Sequence, residues 1–371
     1  MSKDPQVVVY GAGGYTGKQV AWKLAERRIP FVAAGRDGKR LKEQLARVPE
    51  LKGADYQVAE ADLDEKKLTA LFQGKTAVYN LAGPFMQLSE PVVKAALAAG
   101  IHYLDSTGEP DWMRYIRDKY GAKFAKKNLV LAPACSWMWT IGNIAAEIAL
   151  ETPGIDSLDL AYLADSNTSV ASTKSFFRML VKPQLFIKNN KLEAWPSATS
   201  FPVAMPGMSR ILPSLPWGGG AEPVWYEGDA RVRNCAVLVA FNRPEMMQAI
   251  VDILIDFEKK HQGVSDAKRE QLTNELGLSL VSSEPEREDA DENRSMVVCH
   301  ARGRTAGVTV VMRGYAPYAQ TAIFAAHGLQ TLLANRQQGA GFLPPAKAFG
   351  ARQLLAAIAD DGTNAWEVKV Y

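Results

Sequence analysis

The sequence has few of the residues that build disulfide frameworks and metal centres. Its 371 residues include three cysteines and four histidines, and none of these residues lies close to another of its kind. Scattered cysteines in odd number predict a reducing compartment and no disulfide framework. The wide histidine spacing predicts that the protein has no metal site.

Long apolar runs and a strong net charge are also missing. No stretch of about 18 uncharged apolar residues is long enough to span a membrane as a helix, and the first residues lack an apolar signal-peptide core. The net charge of +3 is too small to indicate a nucleic-acid partner. We therefore expect a cytoplasmic globular protein without a membrane span, long enough for two domains.

The most informative feature that is present is a glycine-rich turn near the start. Residues 7–10 form a short apolar run, residues 11–17 are Gly-Ala-Gly-Gly-Tyr-Thr-Gly, and a helical pattern follows. Strand, glycine turn and helix in this order are typical of a dinucleotide-binding unit, whose helix N-terminus faces the phosphates. A magnesium-dependent nucleotide loop has a different glycine spacing, and Gln19 stands where that loop needs Ser or Thr. The predicted cofactor-binding residues of this turn are Gly11, Gly13, Gly14, Tyr15, Thr16 and Gly17.

The end of the second predicted strand indicates which dinucleotide is bound. Arg36 follows this strand, with Lys39 close by, whereas NAD-binding units usually have an acidic residue there. Because an arginine binds phosphate through charge-assisted hydrogen bonds, we predict NADP. The alternative is that Arg36 is a solvated loop charge and that Asp37 contacts the ribose.

Two further strand ends are predicted to line the cofactor. Asp62 and Leu63 follow the third strand, and Ala82, Gly83 and Pro84 follow the fourth. Ligands gather at the carboxyl ends of strands in open α/β sheets. For Asp62 the alternative is an ordinary turn residue.

Alternating strand and helix patterns predict the domain organisation. Residues 1–133 are expected to form a Rossmann domain, a doubly wound parallel sheet. Residues 134–318 are expected to form a second α+β domain with a mixed or antiparallel sheet, and residues 319–371 to form helices that return to the first domain. Within the second domain, residues 195–228 are predicted to be a substrate-covering loop, with an oligomer interface, and hence a homodimer, as the alternative.

Several of these segments together resemble the saccharopine dehydrogenase-like oxidoreductases, in particular the branch that includes the trans-acting enoyl reductases. The segments are residues 11–17, 34–36, 82–85 and 99–109, together with residues 341–350 near the end. The resemblance implies an NADP-binding Rossmann domain, a second α/β domain and chemistry by hydride transfer. The sequence departs from the family pattern at residues 135–143, where Trp137 and Trp139 stand in place of acidic residues and a proline. This departure predicts an apolar substrate pocket, with buried core as the alternative role of both indoles.

Hydride transfer to a double bond also needs an acid that protonates the neighbouring atom. The predicted catalytic residues are Asp105, Glu109 and Tyr226, although Asp105 and Glu109 also suit structural roles in a loop and in a first helical turn. The first hypothesis is an NADPH-dependent reductase of a polarised C=C bond, enoyl or enone, in a largely apolar small molecule.

Two alternatives remain open. One is a C=N reductase or opine-type amino-acid dehydrogenase, for which Arg178, Lys182 and Arg210 are the cations available to hold substrate carboxylates. The other is an NADP-binding sensor or partner protein without turnover.

Overall fold

A computed structural model describes residues 5–180 and 182–371, and these residues form two compact units. The first, here called the parallel-sheet unit, comprises the described residues of 1–107, 112–140 and 318–362. The second, here called the mixed-sheet unit, comprises those of 108–111, 141–317 and 363–371.

The described strands alternate with helices along most of the chain. The strands are β1 (Val7–Tyr10), β2 (Phe31–Gly35), β3 (Tyr56–Glu60), β4 (Ala77–Asn80), β5 (His102–Asp105), β6 (Val130–Ala132), β7 (Ile155–Ala164), β8 (Leu185–Lys188), β9 (Lys191–Ala194), β10 (Phe201–Ala204), β11 (Ile211–Leu215), β12 (Asn234–Phe241), β13 (Arg294–Gly303), β14 (Gly307–Tyr315), β15 (Gly341–Phe342) and β16 (Asn364–Val370). The helices are α1 (Tyr15–Glu26), α2 (Gly38–Ala46), α3 (Glu65–Phe72), α4 (Phe85–Leu88), α5 (Glu90–Ala99), α6 (Pro110–Lys126), α7 (Trp137–Ala149), α8 (Val170–Leu180), α9 (Glu222–Tyr226), α10 (Pro244–Lys260), α11 (Asp266–Leu280), α12 (Pro317–Leu333), α13 (Pro345–Phe349) and α14 (Ala351–Asp360).

The parallel-sheet unit contains a seven-stranded sheet in the order β15-β6-β5-β4-β1-β2-β3, and every pair in it is parallel. β1 pairs with β2 on one side and with β4 on the other, so the strand order reverses beside β1. Ligands of open α/β sheets bind at the carboxyl ends of the strands at such a reversal. The glycine-rich turn follows β1 directly and therefore lies at this position.

Local capping interactions explain where two helices of this unit begin. Asp37 accepts a hydrogen bond from the backbone N–H of Arg40 at 2.8 Å, at the start of α2. Asp64 accepts one from the backbone N–H of Lys67 at 2.9 Å, at the start of α3. An aspartate at this position satisfies a backbone donor that has no partner within the helix. The sequence has an aspartate directly before each of these helical patterns, which predicts both caps.

The mixed-sheet unit contains a nine-stranded sheet whose main path runs β10-β11-β12-β7-β13-β14-β16, with β8 paired to β12 and β9 paired to β8. Only β7 and β12 pair in parallel; the other pairs are antiparallel. β13 and β14 form a hairpin, which the two β-branched runs on either side of residues 303–307 predict. One buried cluster on this sheet includes Leu163, Leu212 and Val298. The predicted fold class, a Rossmann sheet with a second mixed-sheet domain, is confirmed.

Two segments differ from the sequence-based expectation. Residues 195–228 are not one irregular loop, because they contain β10, β11 and α9. Both strands are short and contain a proline, Pro202 opposite Pro213, which hides the strand pattern. The expected C-terminal helices are followed by β16, which pairs with β14.

Among the described residues, none of the helices combines the length and apolarity needed to cross a bilayer.

Candidate functional site

The glycine turn of the parallel-sheet unit is shaped for close approach. Gly11 has φ +87°, and a Cβ added to it would lie 3.1 Å from the backbone of Leu81. A Cβ on Gly17 would lie 2.7 Å from the backbone of Ala12, so only glycine lets α1 approach β1 this closely. Gly14 differs, because it is exposed and the nearest atom to an added Cβ is 3.5 Å away. The fold requires Gly11 and Gly17 and leaves Gly14 open to a ligand.

The other predicted residues of the turn lie within or beside it. Gly13 lies against Gln44, whose side-chain end would meet an added Cβ. Tyr15 is buried and packs edge-to-face on Tyr318, with ring centroids 4.8 Å apart. Thr16 is half-buried in the first turn of α1. Backbone N–H groups in such a first turn, together with the helix dipole, favour a bound phosphate.

The predicted 2′-phosphate site lies at the carboxyl end of β2. Arg36 and Lys39 are exposed there, and neither forms an ion pair or hydrogen bond within the described residues. Asp37 uses one carboxylate oxygen to cap α2. Glu60 accepts a hydrogen bond from the backbone N–H of Gly38 at 2.8 Å. Arg36 and Lys39 are therefore available at this edge to bind a phosphate, beside the carboxylates of Asp37 and Glu60.

The predicted pair after β3 is less available. Asp62 is exposed and forms an ion pair with Lys67 at 3.0 Å; the hydrogen bond from Lys67 is the main factor that lowers the pKa of this carboxyl. Leu63 is partly buried against the core of the unit. Nearby, the buried Tyr10 hydroxyl donates to the carbonyl of Ala61 at 3.1 Å. Burial raises the Tyr10 pKa to about 12.

A buried polar network fixes the loop of Ala82, Gly83 and Pro84 after β4. The Asn80 side-chain amide donates to Ser89 at 2.8 Å and to the Tyr103 hydroxyl at 3.0 Å, and its oxygen accepts from the Ala82 N–H at 3.1 Å. Ser89 in turn donates to the Ala82 carbonyl at 2.9 Å. This loop is therefore held in one conformation beside the glycine turn.

Asp105 is the buried centre of the same region. One carboxylate oxygen accepts from the backbone N–H groups of Thr107 at 3.0 Å and Ala134 at 2.9 Å. The other accepts from the Tyr103 hydroxyl at 2.9 Å and the Trp112 indole N–H at 3.0 Å. Burial raises the Asp105 pKa to about 6, although these hydrogen bonds act in the opposite direction. The carboxylate binds the ends of β5 and β6 together.

Glu109 lies in the mixed-sheet unit, where it is fully buried. Its carboxylate forms an ion pair with Arg178 at 2.5 Å and accepts a hydrogen bond from Ser175 at 2.6 Å. The Arg178 side chain is also fully buried and contacts Asp111 at 2.7 Å. The sequence reading did not foresee this cluster, because Glu109 and Arg178 are 69 residues apart.

Tyr226 is buried in α9, in the mixed-sheet unit. Its hydroxyl donates to Glu147 at 2.9 Å and accepts from the Asn143 amide at 3.3 Å. Burial, followed by the Glu147 charge, raises the Tyr226 pKa well above its usual range. Tyr226 also lines a surface cavity of about 250 Å³, together with Lys191 and Asp229. The phenol therefore stays protonated at neutral pH and has a carboxylate as its hydrogen-bond acceptor.

A second buried acid in this unit was missed by the sequence reading. Glu222 is fully buried and accepts a hydrogen bond from the Tyr162 hydroxyl at 2.5 Å. Burial raises the Glu222 pKa to about 7. No sequence signal links these residues, which lie 60 positions apart.

The two tryptophans that depart from the family pattern are both buried in the parallel-sheet unit. Trp139 is fully buried and Trp137 is nearly so. The Trp137 backbone N–H donates to the Thr321 hydroxyl at 2.9 Å, which ties this segment to α12. Their burial agrees with the alternative that they belong to the core.

Comparisons with known proteins cover both units. Residues 140–366 match the model of a family of unknown function (DUF5938), and residues 7–130 match the saccharopine dehydrogenase NADP binding domain. The chain belongs to the DUF5938 family. Its amino-terminal part is an NADP-binding domain of the saccharopine dehydrogenase type, so the predicted cofactor is confirmed.

Curated relatives of this DUF5938 protein resemble only part of it. A lipid droplet localized protein of Caenorhabditis elegans is 31% identical over 48% of this chain and 40% of its own length. A saccharopine dehydrogenase-like oxidoreductase of Rattus norvegicus is 29% identical over 34% of this chain and 33% of its own. A Mycobacterium tuberculosis protein, provisionally named a trans-acting enoyl reductase, is 31% identical over 47% of this chain and 42% of its own. The chain thus matches about a third to two fifths of the length of these relatives.

One solved structure matches the DUF5938 protein over almost its whole length. The apo saccharopine dehydrogenase (L-Glu forming) of Saccharomyces cerevisiae aligns with a TM-score of 0.64 and 13% identity, over 99% of this chain and 100% of that chain. At this identity the match shows the shared fold. Together with the family matches and the relatives, it confirms the predicted resemblance to saccharopine dehydrogenase-like, NADP-dependent oxidoreductases.

Proposed function

We propose that the protein reduces a polarised C=C bond, enoyl or enone, in a largely apolar substrate, with NADPH as the hydride donor. The observation that carries the NADPH part of the proposal is the exposed positive charge of Arg36 and Lys39 beside an open glycine turn. Neither cation has an ion-pair partner within the described residues. A phosphorylated dinucleotide supplies the partner that both lack.

The residues of the parallel-sheet unit fit the cofactor part by part. Gly14 and the first turn of α1 would hold the diphosphate, because Gly14 leaves room where a side chain would stand. Arg36 and Lys39 would hold the 2′-phosphate, and the fixed loop of Ala82, Gly83 and Pro84 would lie against the rest of the dinucleotide. When bound, NADPH supplies the hydride, and the protein supplies its placement and electrostatic surroundings.

Two observations support a C=C bond in an apolar substrate. Residues 135–143 contain no charged residue, where the family has acidic residues, so this segment brings no charge to hold a polar substrate. One relative, at 31% identity, is provisionally named a trans-acting enoyl reductase.

Of the three predicted acids, Tyr226 fits proton donation best. Glu109 is ion-paired with Arg178, and the four hydrogen bonds to Asp105 occupy both of its oxygens. We therefore assign both carboxylates positioning roles. Tyr226 keeps its proton at neutral pH and borders a cavity, so this proton is held beside space for a small molecule.

A second candidate function is NADP binding without turnover. It is favoured by one observation, that all three predicted acids already have hydrogen-bond partners inside the fold. The opine-type alternative loses support because its cations are engaged: Arg178 by Glu109, Lys182 by Glu270 at 3.1 Å, and Arg210 by the Asn242 carbonyl.

Location in the cell stays a proposal as well. The sequence reading expects a cytoplasmic protein, and the name of the nematode relative places that relative at lipid droplets. Imaging of the tagged full chain distinguishes the two.

The test is NADPH consumption with matched enoyl thioesters, enones and imines of the same chain length. We expect turnover with the first two classes, and a loss of about 100-fold or more in kcat for Tyr226→Phe with NADPH affinity unchanged. Tyr56→Phe is the matched control, since its ring stacks on Phe31 and its hydroxyl is not buried. Tight NADPH binding with no consumption in any class would instead support the non-catalytic function.

A further inference from the structure

The edge strand β16 carries an unusual concentration of exposed apolar side chains. Trp366 is 42% exposed, Val368 37% and Val370 65%, and the following Tyr371 is 76% exposed. These four are among ten large hydrophobic residues that are exposed in the described chain. Natural edge strands are usually short or interrupted by proline or charge, which prevents pairing with another chain. β16 has seven residues without proline, its two charged residues, Glu367 and Lys369, are opposite in sign, and it ends the strand path of the mixed sheet.

The pairing with β14 shows which backbone groups of β16 face outward. Tyr371 and Gly307 exchange two hydrogen bonds, and Thr309 lies opposite Lys369 in the same register. In an antiparallel ladder, alternate residues bond to the same neighbour. The odd-numbered residues of β16 therefore bond to β14. The backbone N–H and C=O groups of Trp366, Val368 and Val370 point away from β14.

The charges of β16 select one register for pairing with a second strand of its own sequence. If Val368 faces Val368 of a second copy in antiparallel orientation, Trp366 faces Val370, and all three outward residues form hydrogen-bonded pairs. In that register Glu367 of each copy faces Lys369 of the other. Opposite charges at directly facing positions stabilise a sheet, and like charges destabilise it.

The two neighbouring registers that preserve the hydrogen bonds place like charges opposite each other. A shift by one ladder step in one direction places Glu367 opposite Glu367, and a shift in the other direction places Lys369 opposite Lys369. Like charges at facing positions disfavour both. The sequence of β16 is thus self-complementary in one register.

We propose that β16 is a dimerisation strand, through which two copies of this chain join their mixed sheets edge to edge around Val368. The occupant of this edge is a second copy because its pattern of charge is complementary to itself. The joined strands also align Trp366 of each copy with Val370 of the other on one face, which covers apolar surface that is exposed in the single chain.

The test uses charge reversal in the full-length protein, with oligomeric state measured by sedimentation over a concentration series. We expect the wild type to dimerise. Glu367→Lys and Lys369→Glu should each weaken the dimer by about tenfold or more, because each variant places two like-charged pairs across the two-fold axis. An equimolar mixture of the two variants should form a heterodimer, since every facing pair is then opposite in charge. Arg302→Glu, an exposed charge reversal in β13, is the control and should dimerise like the wild type.

The mixing experiment separates loss of pairing from loss of folding, because only folded variants regain association on mixing. A monomeric wild type at all concentrations would overturn the proposal and leave this edge for a different partner. Dimers that persist in both variants, or variants that fail to associate on mixing although both are folded by circular dichroism, would overturn it as well.

Discussion

Two buried carboxylates four residues apart in the sequence, Asp105 and Glu109, are stabilised in different ways in the two units. In the parallel-sheet unit, Asp105 accepts four hydrogen bonds from neutral donors. In the mixed-sheet unit, Glu109 is neutralised by one buried cation, Arg178. The first arrangement spreads the stabilisation over several neutral donors, whereas the second places the neutralising charge on one buried side chain. The comparison predicts how much the free energy of unfolding falls when one group is removed from each arrangement.

The largest effect is expected for Arg178→Met. It removes the buried cation that pairs with Glu109 and Asp111, and breaking a buried pair by removing one partner destabilises by about 3–5 kcal/mol. Urea unfolding of the wild type and variant measures this loss. Lys182→Met is the control, because Lys182 is partly exposed and its pair with Glu270 is worth about 1 kcal/mol or less. Equal small losses of unfolding free energy in both variants would contradict the dependence of Glu109 on Arg178.

The next effect extends the comparison to a third buried acid, Glu222, which accepts a hydrogen bond from the Tyr162 hydroxyl. Burial raises its pKa from 4.5 to about 7. The folded chain then keeps a proton that the unfolded chain has lost between these pH values. The contribution of Glu222 to the free energy of unfolding is therefore fully present below about pH 4.5. It falls by about 3 kcal/mol as the pH rises to about 7.

Glu222→Gln should remove this fall. The measurement is the difference in unfolding free energy between wild type and variant across that pH range, in which contributions from Asp105 cancel. A difference that does not change with pH would contradict the raised pKa of Glu222.

A smaller effect is expected for Asp105→Asn. The amide supplies one acceptor oxygen in place of two, so some of the four donors lose their acceptor, at a loss of about 2–3 kcal/mol. Asp37→Asn, at an exposed helix cap that asparagine also fills, should change the unfolding free energy little. Urea unfolding of both variants tests the prediction, and equal losses would contradict it.

The smallest expected effect separates folding from binding within the glycine turn. Gly17→Ala places a Cβ 2.7 Å from the backbone of Ala12 and should destabilise by about 1–3 kcal/mol. Gly14→Ala has 3.5 Å of clearance and should lose less than about 1 kcal/mol, yet weaken NADPH binding. Thermal unfolding with and without NADPH distinguishes the two. Unchanged NADPH binding in Gly14→Ala would contradict the role of this position.

The sequence predicts the features that depend on neighbouring residues. The turn at Gly11 to Gly17, the caps at Asp37 and Asp64 and the hairpin of β13 and β14 each follow from a few adjacent side chains. The missed features depend on distant residues or on short strands. Arg178 meets Glu109 across 69 positions, which no local pattern encodes, and the prolines of β10 and β11 conceal their pairing.

The central claim is that the end of β2 selects the phosphorylated dinucleotide, and calorimetric titration with NADPH and NADH tests it most directly. We predict tighter binding of NADPH, and for Arg36→Ala a loss of about ten- to hundredfold in NADPH affinity with NADH affinity unchanged. Arg47→Ala, an exposed arginine at the other end of α2, should leave both unchanged. Equal affinity of the wild type for NADH and NADPH, or an equal loss for both in Arg36→Ala, would contradict the claim.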